Sequence, residues 1–183
     1  MIRIFDIVFA FFGLLIFTPL MVLIFLIGYL DNGSPIFIQK RLGRHEVPFK
    51  LFKFRSMHIS TISKATHLVD PKSVTRFGKL LRKTKMDEIP QLWNVLIGDM
   101  SFVGPRPCLL NQSQLIEERR KRNLFDIRPG ITGLAQTSGV DMSDPVTLSL
   151  FDHNMVKSLN LKSYLMFILK TILGKGFGDR VKN

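Results

Sequence analysis

Asp87 and Glu88 stand side by side near the middle of a 183-residue chain, in the run Arg82-Lys83-Thr84-Lys85-Met86-Asp87-Glu88-Ile89-Pro90-Gln91-Leu92-Trp93-Asn94. Gly98-Asp99-Met100-Ser101 and Gly104-Pro105-Arg106-Pro107 follow closely. Adjacent carboxylates in a cationic frame suit chemistry on a phosphorylated, metal-bound substrate. A carboxylate attacks phosphorus or holds a divalent ion, and arginine neutralises phosphate oxygens. Successive side chains diverge, so the pair divides roles instead of sharing one proton. The plainer reading is that Asp87 caps a helix and Glu88 complements its dipole. Both readings start a helix at Asp87, tolerate Pro90 in its first turn and end it at Gly98. Such a start also offers N–H groups to bound phosphate.

The elements that must hold this pair are legible in outline. Short apolar–basic alternation in Ile36-Phe37-Ile38-Gln39 and Phe49-Lys50-Leu51-Phe52-Lys53-Phe54-Arg55, around a turn at Gly43, reads as a small β-hairpin displaying Lys50, Lys53 and Arg55. Residues 56–73 are polar and weakly patterned, a loop with a short helix of the kind that serves as a lid. Residues 73–85 are basic and helix-compatible. Between positions 40 and 85 there are thirteen Lys or Arg against two acids; most of that run reads as a solvated or lipid-facing surface. The exceptions assigned to chemistry lie close to the acidic pair, chiefly Arg82. Near the carboxy terminus Leu161, Tyr164, Leu165, Ile168 and Ile172 share one helical face, either resting on lipid or packed on the domain. Gly174 to Asp179 reads as a flexible tail, Gly130 and Gly133 as turn residues, and Cys108 as a small buried residue.

Composition narrows the partners. The length suits one domain with a real core. A net charge of +12 and a pI near 10.2 call for a polyanion, yet 46% of residues are hydrophobic and the mean hydropathy is +0.19. That combination favours a membrane and argues against nucleic acid. The single cysteine excludes an internal disulfide, as suits a reducing compartment, and the four histidines lack zinc-site spacing. Neither a P-loop nor a dinucleotide fingerprint is present.

Residues 4–30 carry one charged side chain, Asp6. As a straight helix they reach roughly 40 Å, enough to cross a hydrocarbon core of about 30 Å. Two features favour a re-entrant hairpin instead. Thr18-Pro19 falls mid-segment, where proline kinks a helix and the threonine hydroxyl back-bonds to deepen the bend. Arg3 flanks one end and Lys40, Arg41 and Arg44 the other, so both ends prefer the cytoplasm. The expected architecture is therefore α+β and mostly helical. Residues 1–32 form a helix–break–helix embedded in the membrane, and residues 33–183 a compact cytoplasmic catalytic domain with a small β-hairpin and interfacial amphipathic helices.

The motifs around Asp87-Glu88, Gly98-Asp99-Met100-Ser101, Gly104-Pro105-Arg106-Pro107 and Arg128-Pro129-Gly130-Ile131-Thr132-Gly133, with Lys53-Phe54-Arg55-Ser56-Met57, resemble the signature of the bacterial sugar transferases. More specifically, the chain resembles their small monotopic polyprenyl-phosphate phosphoglycosyl transferases. Thr18-Pro19 fits too, at a position that is commonly Ser-Pro. The resemblance implies transfer of a sugar phosphate from a UDP-sugar to undecaprenyl phosphate, releasing UMP, at the bacterial inner membrane. It implies that Asp87 is the nucleophile, that Glu88 holds Mg²⁺, that Arg82 lies near the phosphates and Arg106 near the nucleotide, and that Lys53 and Arg55 serve the substrate. Two positions depart from the pattern. Val140 stands where many relatives have arginine, and Tyr164 where a carboxylate is common. Rival readings are a basic membrane adaptor, which would turn over no nucleotide sugar, and a tethered nucleic-acid binder, which would bind with strong salt dependence. The sequence sets neither the sugar nor the oligomeric state.

Overall fold

A computed structural model describes residues 2–61 and 70–173, the Pro71 side chain apart. The expected lid segment therefore lies partly, and the expected tail loop wholly, outside the described residues. The chain opens with helix α1 (Ile2–Asn32). Antiparallel strands β1 (Ile36–Leu42) and β2 (Pro48–Phe54) follow, paired from Ile36 opposite Phe54 to Leu42 opposite Pro48. The expected hairpin is present, but His45 and Glu46, not Gly43, take the positive φ at its tip. Next come α2 (Arg76–Thr84), α3 (Gln91–Ile97), β3 (Ser101–Val103), α4 (Ser113–Arg120), β4 (Gly130–Thr132), α5 (Leu134–Thr137), α6 (Pro145–Ser158) and α7 (Leu161–Ile172). The fold is α+β and mostly helical.

Helix α1 remains helical through Pro19, so the expected interruption is absent from its secondary structure. The Thr18 hydroxyl does back-bond, donating to the Leu14 carbonyl at 2.6 Å, and a helix tolerates proline where such local bonds compensate. One stripe of α1 rests on the rest of the protein. Arg3 donates to the Val95 and Leu96 carbonyls at 2.7 and 3.0 Å. Asp6 accepts from Ser101 Oγ (2.9 Å), the Phe102 N–H (3.0 Å) and Tyr164 Oη (2.8 Å). Ala10 packs with Phe49, Leu51, Val95 and Met100; Gly13 meets Leu92; Ile24 packs with Phe54 and Leu81; Gly28 meets Pro35. These positions are three or four residues apart, with one eleven-residue step (three turns) between Gly13 and Ile24, so they share one face. The other faces expose phenylalanine, leucine and isoleucine from Ile4 to Leu30, far more contiguous apolar surface than a soluble monomer presents.

A second, parallel sheet went unforeseen: Ser101 pairs with Gly130 and Val103 with Thr132. Here Gly130 and Gly133 permit close approach instead of forming turns. A Cβ on Gly130 would overlap the Gly104 backbone, and one on Gly133 would crowd Gln136, Gly104 and Met155. Helix α7 packs on the domain by one face and leaves apolar residues exposed on another. Tyr164 and Phe167 are buried against Val103 and Met155, while Leu165, Met166, Leu169 and Ile172 are exposed. Leu165 and Ile172 thus lie outside the packed face. Cys108 is fully buried, and desolvation pushes its thiol up against the pull of nearby Arg119, as in an inert core cysteine.

Gly130→Ala tests the close approach. It forces β4 away from Gly104 and is expected to cost about 1–3 kcal/mol, a fall of roughly 2–12 °C in melting midpoint for detergent-solubilised protein. An unchanged midpoint would remove close packing as the reason for that glycine.

Candidate active site

The acidic pair is placed by a helix stop. Thr75 caps α2, its side chain accepting from the Gly78 N–H, and Lys85 closes the helix in the left-handed conformation, φ 58°. Directly after it, Met86–Glu88 form a 3₁₀ turn, with the Ile89 N–H donating to the Met86 carbonyl. This corrects the expected helix start. Ile89 and Pro90 are helical in φ and ψ but precede α3, which begins at Gln91, so Asp87 does not cap it. With seven residues and a later start, α3 carries no phosphate-binding argument. Its expected stop holds: Gly98 has φ 99° and donates to the Asn94 and Val95 carbonyls. In a 3₁₀ turn successive residues lie roughly 120° apart, so the two carboxylates diverge as expected. Both are partly buried.

Glu88 is the point of convergence. Its Oε1 accepts from Lys53 Nζ at 3.1 Å and from Arg106 Nη2 at 2.7 Å. The three side chains are 11%, 12% and 13% exposed, so water screens the cluster little. Lys53 comes from β2, Glu88 from the 3₁₀ turn, and Arg106 from the segment after β3. Glu88 is thus shared by two cations and stands directly beside a second carboxylate, Asp87. Arg82 lies in the last turn of α2, partly buried, and its carbonyl accepts the Lys85 N–H at 3.3 Å.

Arg55, which the resemblance implies serves the substrate, lies just past the end of β2. Its guanidinium donates to the Ser34 carbonyl (2.8 Å), Ser34 Oγ (3.4 Å) and the Ile36 carbonyl (3.3 Å), and it stacks over Phe37 with the centroid at 5.4 Å. It braces the turn between α1 and β1, and desolvation there lowers its pKa. Asn94, by contrast, is a positioning residue that the sequence reading missed. Fully buried, it accepts the Phe52 N–H at 3.1 Å and donates to the Lys50 carbonyl at 2.7 Å and Asp99 Oδ2 at 3.1 Å. It mimics a neighbouring strand along the open edge of β2 and sets Lys53 against Glu88. An amide in the otherwise apolar run Leu92-Trp93-Asn94-Val95-Leu96 was the available signal.

Comparison with known proteins follows the same residues. The pattern of the family described as "Bacterial sugar transferase" matches residues 1–176. A Bacillus subtilis protein, "Uncharacterized sugar transferase EpsL", is 43% identical over 75% of this chain and 68% of its own length. The "Undecaprenyl-phosphate galactose phosphotransferase" of Salmonella typhimurium is 35% identical over 92% of this chain and 39% of its own. The "UDP-N-acetylgalactosamine-undecaprenyl-phosphate N-acetylgalactosaminephosphotransferase" of Aeromonas hydrophila is 33% identical over 96% of this chain and 44% of its own. The chain thus spans less than half the length of the latter two relatives. With the family pattern running from α1 through α7 and across the Asp87–Glu88 turn, the chain belongs to the bacterial sugar transferase family.

Proposed function

We propose that this protein transfers a phosphosugar from a UDP-sugar to undecaprenyl phosphate, releasing UMP, as the initiating step of a lipid-linked bacterial glycan. The observation that carries the reading is the Glu88 carboxylate held by Lys53 and Arg106 next to Asp87, in a chain that matches the sugar transferases over residues 1–176. The names of the Salmonella and Aeromonas relatives support the acceptor and differ in the sugar. We assign an N-acetylated amino or deoxyamino hexose as donor sugar.

In the first step an Asp87 carboxylate oxygen attacks the sugar-bearing phosphorus of the donor, opposite the bond to UMP. That P–O bond breaks, UMP departs with the electron pair, and an acyl phosphate carrying the sugar remains on Asp87. Lys53 and Arg82 neutralise the diphosphate, which otherwise repels the attacking carboxylate, and Arg106 serves the nucleotide end of the donor. In the second step a phosphate oxygen of undecaprenyl phosphate attacks the same phosphorus, and Asp87 leaves as a carboxylate. Glu88 is the residue that would hold Mg²⁺. No group of three or more His, Cys, Asp or Glu side chains gathers among the described residues. One carboxylate completed by substrate oxygens and waters fits magnesium, a hard ion that keeps its waters. When bound, the ion screens phosphate charge.

The contact stripe of α1 supports a re-entrant placement at the cytoplasmic face. Arg3 near one end and Gly28 near the other rest on the same body, so a helix carrying its amino terminus across the bilayer would have to leave those contacts. Single cysteines at Ile4 and Leu30, both exposed, are expected to react with a membrane-impermeant maleimide in inside-out vesicles and not in intact cells. Labelling of Ile4→Cys from outside the cell would show a spanning helix instead.

Two substitutions test the chemistry. Asp87→Asn is expected to lower UMP release by at least about a thousandfold against a panel of UDP-sugars, and to abolish the phosphosugar adduct seen by intact-mass analysis without acceptor. Wild-type turnover by this variant would rule out the covalent step. Glu88→Gln is expected to reduce turnover by about 10–100-fold and to raise the magnesium concentration for half-activity. An unchanged magnesium curve would remove Glu88 as the ligand.

A further inference from the structure

Arg106 enters the site from a segment whose backbone is held at every residue from 104 to 108. The Gly104 N–H donates to the Thr132 carbonyl at 2.9 Å, and the Gly130 N–H to the Pro105 carbonyl at 2.9 Å. Arg119 Nη1 donates to the Arg106 carbonyl at 2.7 Å and Arg41 Nη1 to the Pro107 carbonyl at 3.0 Å. The Leu42 N–H donates to the Cys108 carbonyl at 3.0 Å. Three of these bonds are ordinary backbone pairings; two come from buried guanidinium groups.

A guanidinium buried to 2% exposure is costly unless paired. Arg119 on α4 donates through Nη2 to Asp152 Oδ2 on α6 at 2.8 Å, and Asp152 is fully buried. Desolvation pushes the Asp152 carboxyl up, and Arg119 opposes that shift. Buried pairs of this kind contribute little net stability, and apolar replacements often do as well. Stability is therefore a weak reason for this one. Its geometry gives a better reason: a planar fork places one nitrogen on Asp152 and the other on the Arg106 carbonyl, which a lysine ammonium reproduces poorly.

We infer that Arg119 and Asp152 are positioning residues for Arg106. Asp152 orients the Arg119 fork, the fork fixes the Arg106 carbonyl, and the Arg106 side chain thereby meets both Glu88 and the nucleotide end of the donor. The last clause rests on the function proposed above. Neither residue touches the reacting groups.

The test uses the full chain in lipid nanodiscs with Mg²⁺, UMP as the probe, titration calorimetry for affinity and thermal melting for folding. Arg106→Ala is expected to weaken UMP binding. Arg119→Lys, which keeps the charge, is expected to weaken it about tenfold, as loss of an outer-shell partner does. Arg119→Lys combined with Arg106→Ala is expected to bind no worse than Arg106→Ala alone, a coupling that a merely structural role does not produce. Asp152→Asn should reproduce the pattern and decides the matter if Arg119→Lys does not fold. Wild-type UMP affinity in the folded variants, or losses that simply add to that of Arg106→Ala, would overturn the inference while leaving the proposed function standing. An Arg106→Ala protein that binds UMP normally would remove the nucleotide role of Arg106 and the inference with it. If neither variant holds the fold, the pair is a stability element and the inference falls.

Discussion

Lys53 and Arg106 reach one oxygen of Glu88 from segments more than fifty residues apart, so the site exists only while distant pieces of backbone keep their places. The charges alone would not hold it. With Glu88 removed, Lys53 and Arg106 would lose the carboxylate they share. Asn94 fixes β2 against α3. The Lys85 stop fixes the 3₁₀ turn against α2, and the β3–β4 pairing fixes the approach of Arg106. Each of these restraints acts on the backbone and so sets where the central side chains start from. That arrangement is what electrostatic preorganisation requires: dipoles and charges already aimed before the reactant arrives.

The second constraint is the apolar surface of α1. A helix with so many exposed phenylalanines, leucines and isoleucines is at home in lipid, yet its Arg3–Gly28 stripe is bound to the catalytic part along its length. Asp6, the lone charge of residues 4–30, is the polar half of that bond. It accepts three hydrogen bonds in a buried position, which answers the desolvation cost of a carboxylate beside the membrane. Tyr164 supplies one of them, reaching Asp6 from α7 near the far end of the chain. Burial and the neighbouring Asp6 carboxylate both push the Tyr164 hydroxyl upward, and it stays protonated to donate.

How much of this was legible follows from the range of each interaction. The β-hairpin and the Gly98 stop were read correctly, because alternation and a glycine cap are local signals. The start of α3 was misplaced by four residues: Asp87 looked like a cap, but the left-handed Lys85 had already reversed the chain. The continuous helix through Pro19 was also missed, because proline's local penalty can be offset by Thr18 and by tertiary contacts not visible in the sequence. The β3–β4 sheet is two three-residue strands almost thirty residues apart, too short for periodicity to register. Asp87, Glu88 and Arg106 stand out by type and motif, and the structure brings Glu88 and Arg106 together. Asn94, Arg119 and Asp152 do not stand out, since a buried polar residue declares itself only through the partner it meets.

The basic composition acquires a different meaning once the arginines are placed. Arg3, Arg41, Arg44, Arg55, Arg119 and Arg128 all donate to backbone carbonyls. Arg3 and Arg128 cover the carboxy-terminal end of α3, where carbonyls lack helical partners and the dipole is negative. Much of the arginine charge thus holds irregular segments together and is not a binding surface. The exposed charge is carried largely by lysine, as at Lys40, Lys50, Lys79 and Lys83. Lys40 and Lys50 are direct cross-strand neighbours, an unfavourable pairing in isolation. On the proposed reading this division has a purpose. Flexible, hydrated ammonium groups hold the enzyme near the bilayer without fixing one geometry, whereas planar guanidinium groups fix the backbone around a site where an ångström of displacement matters.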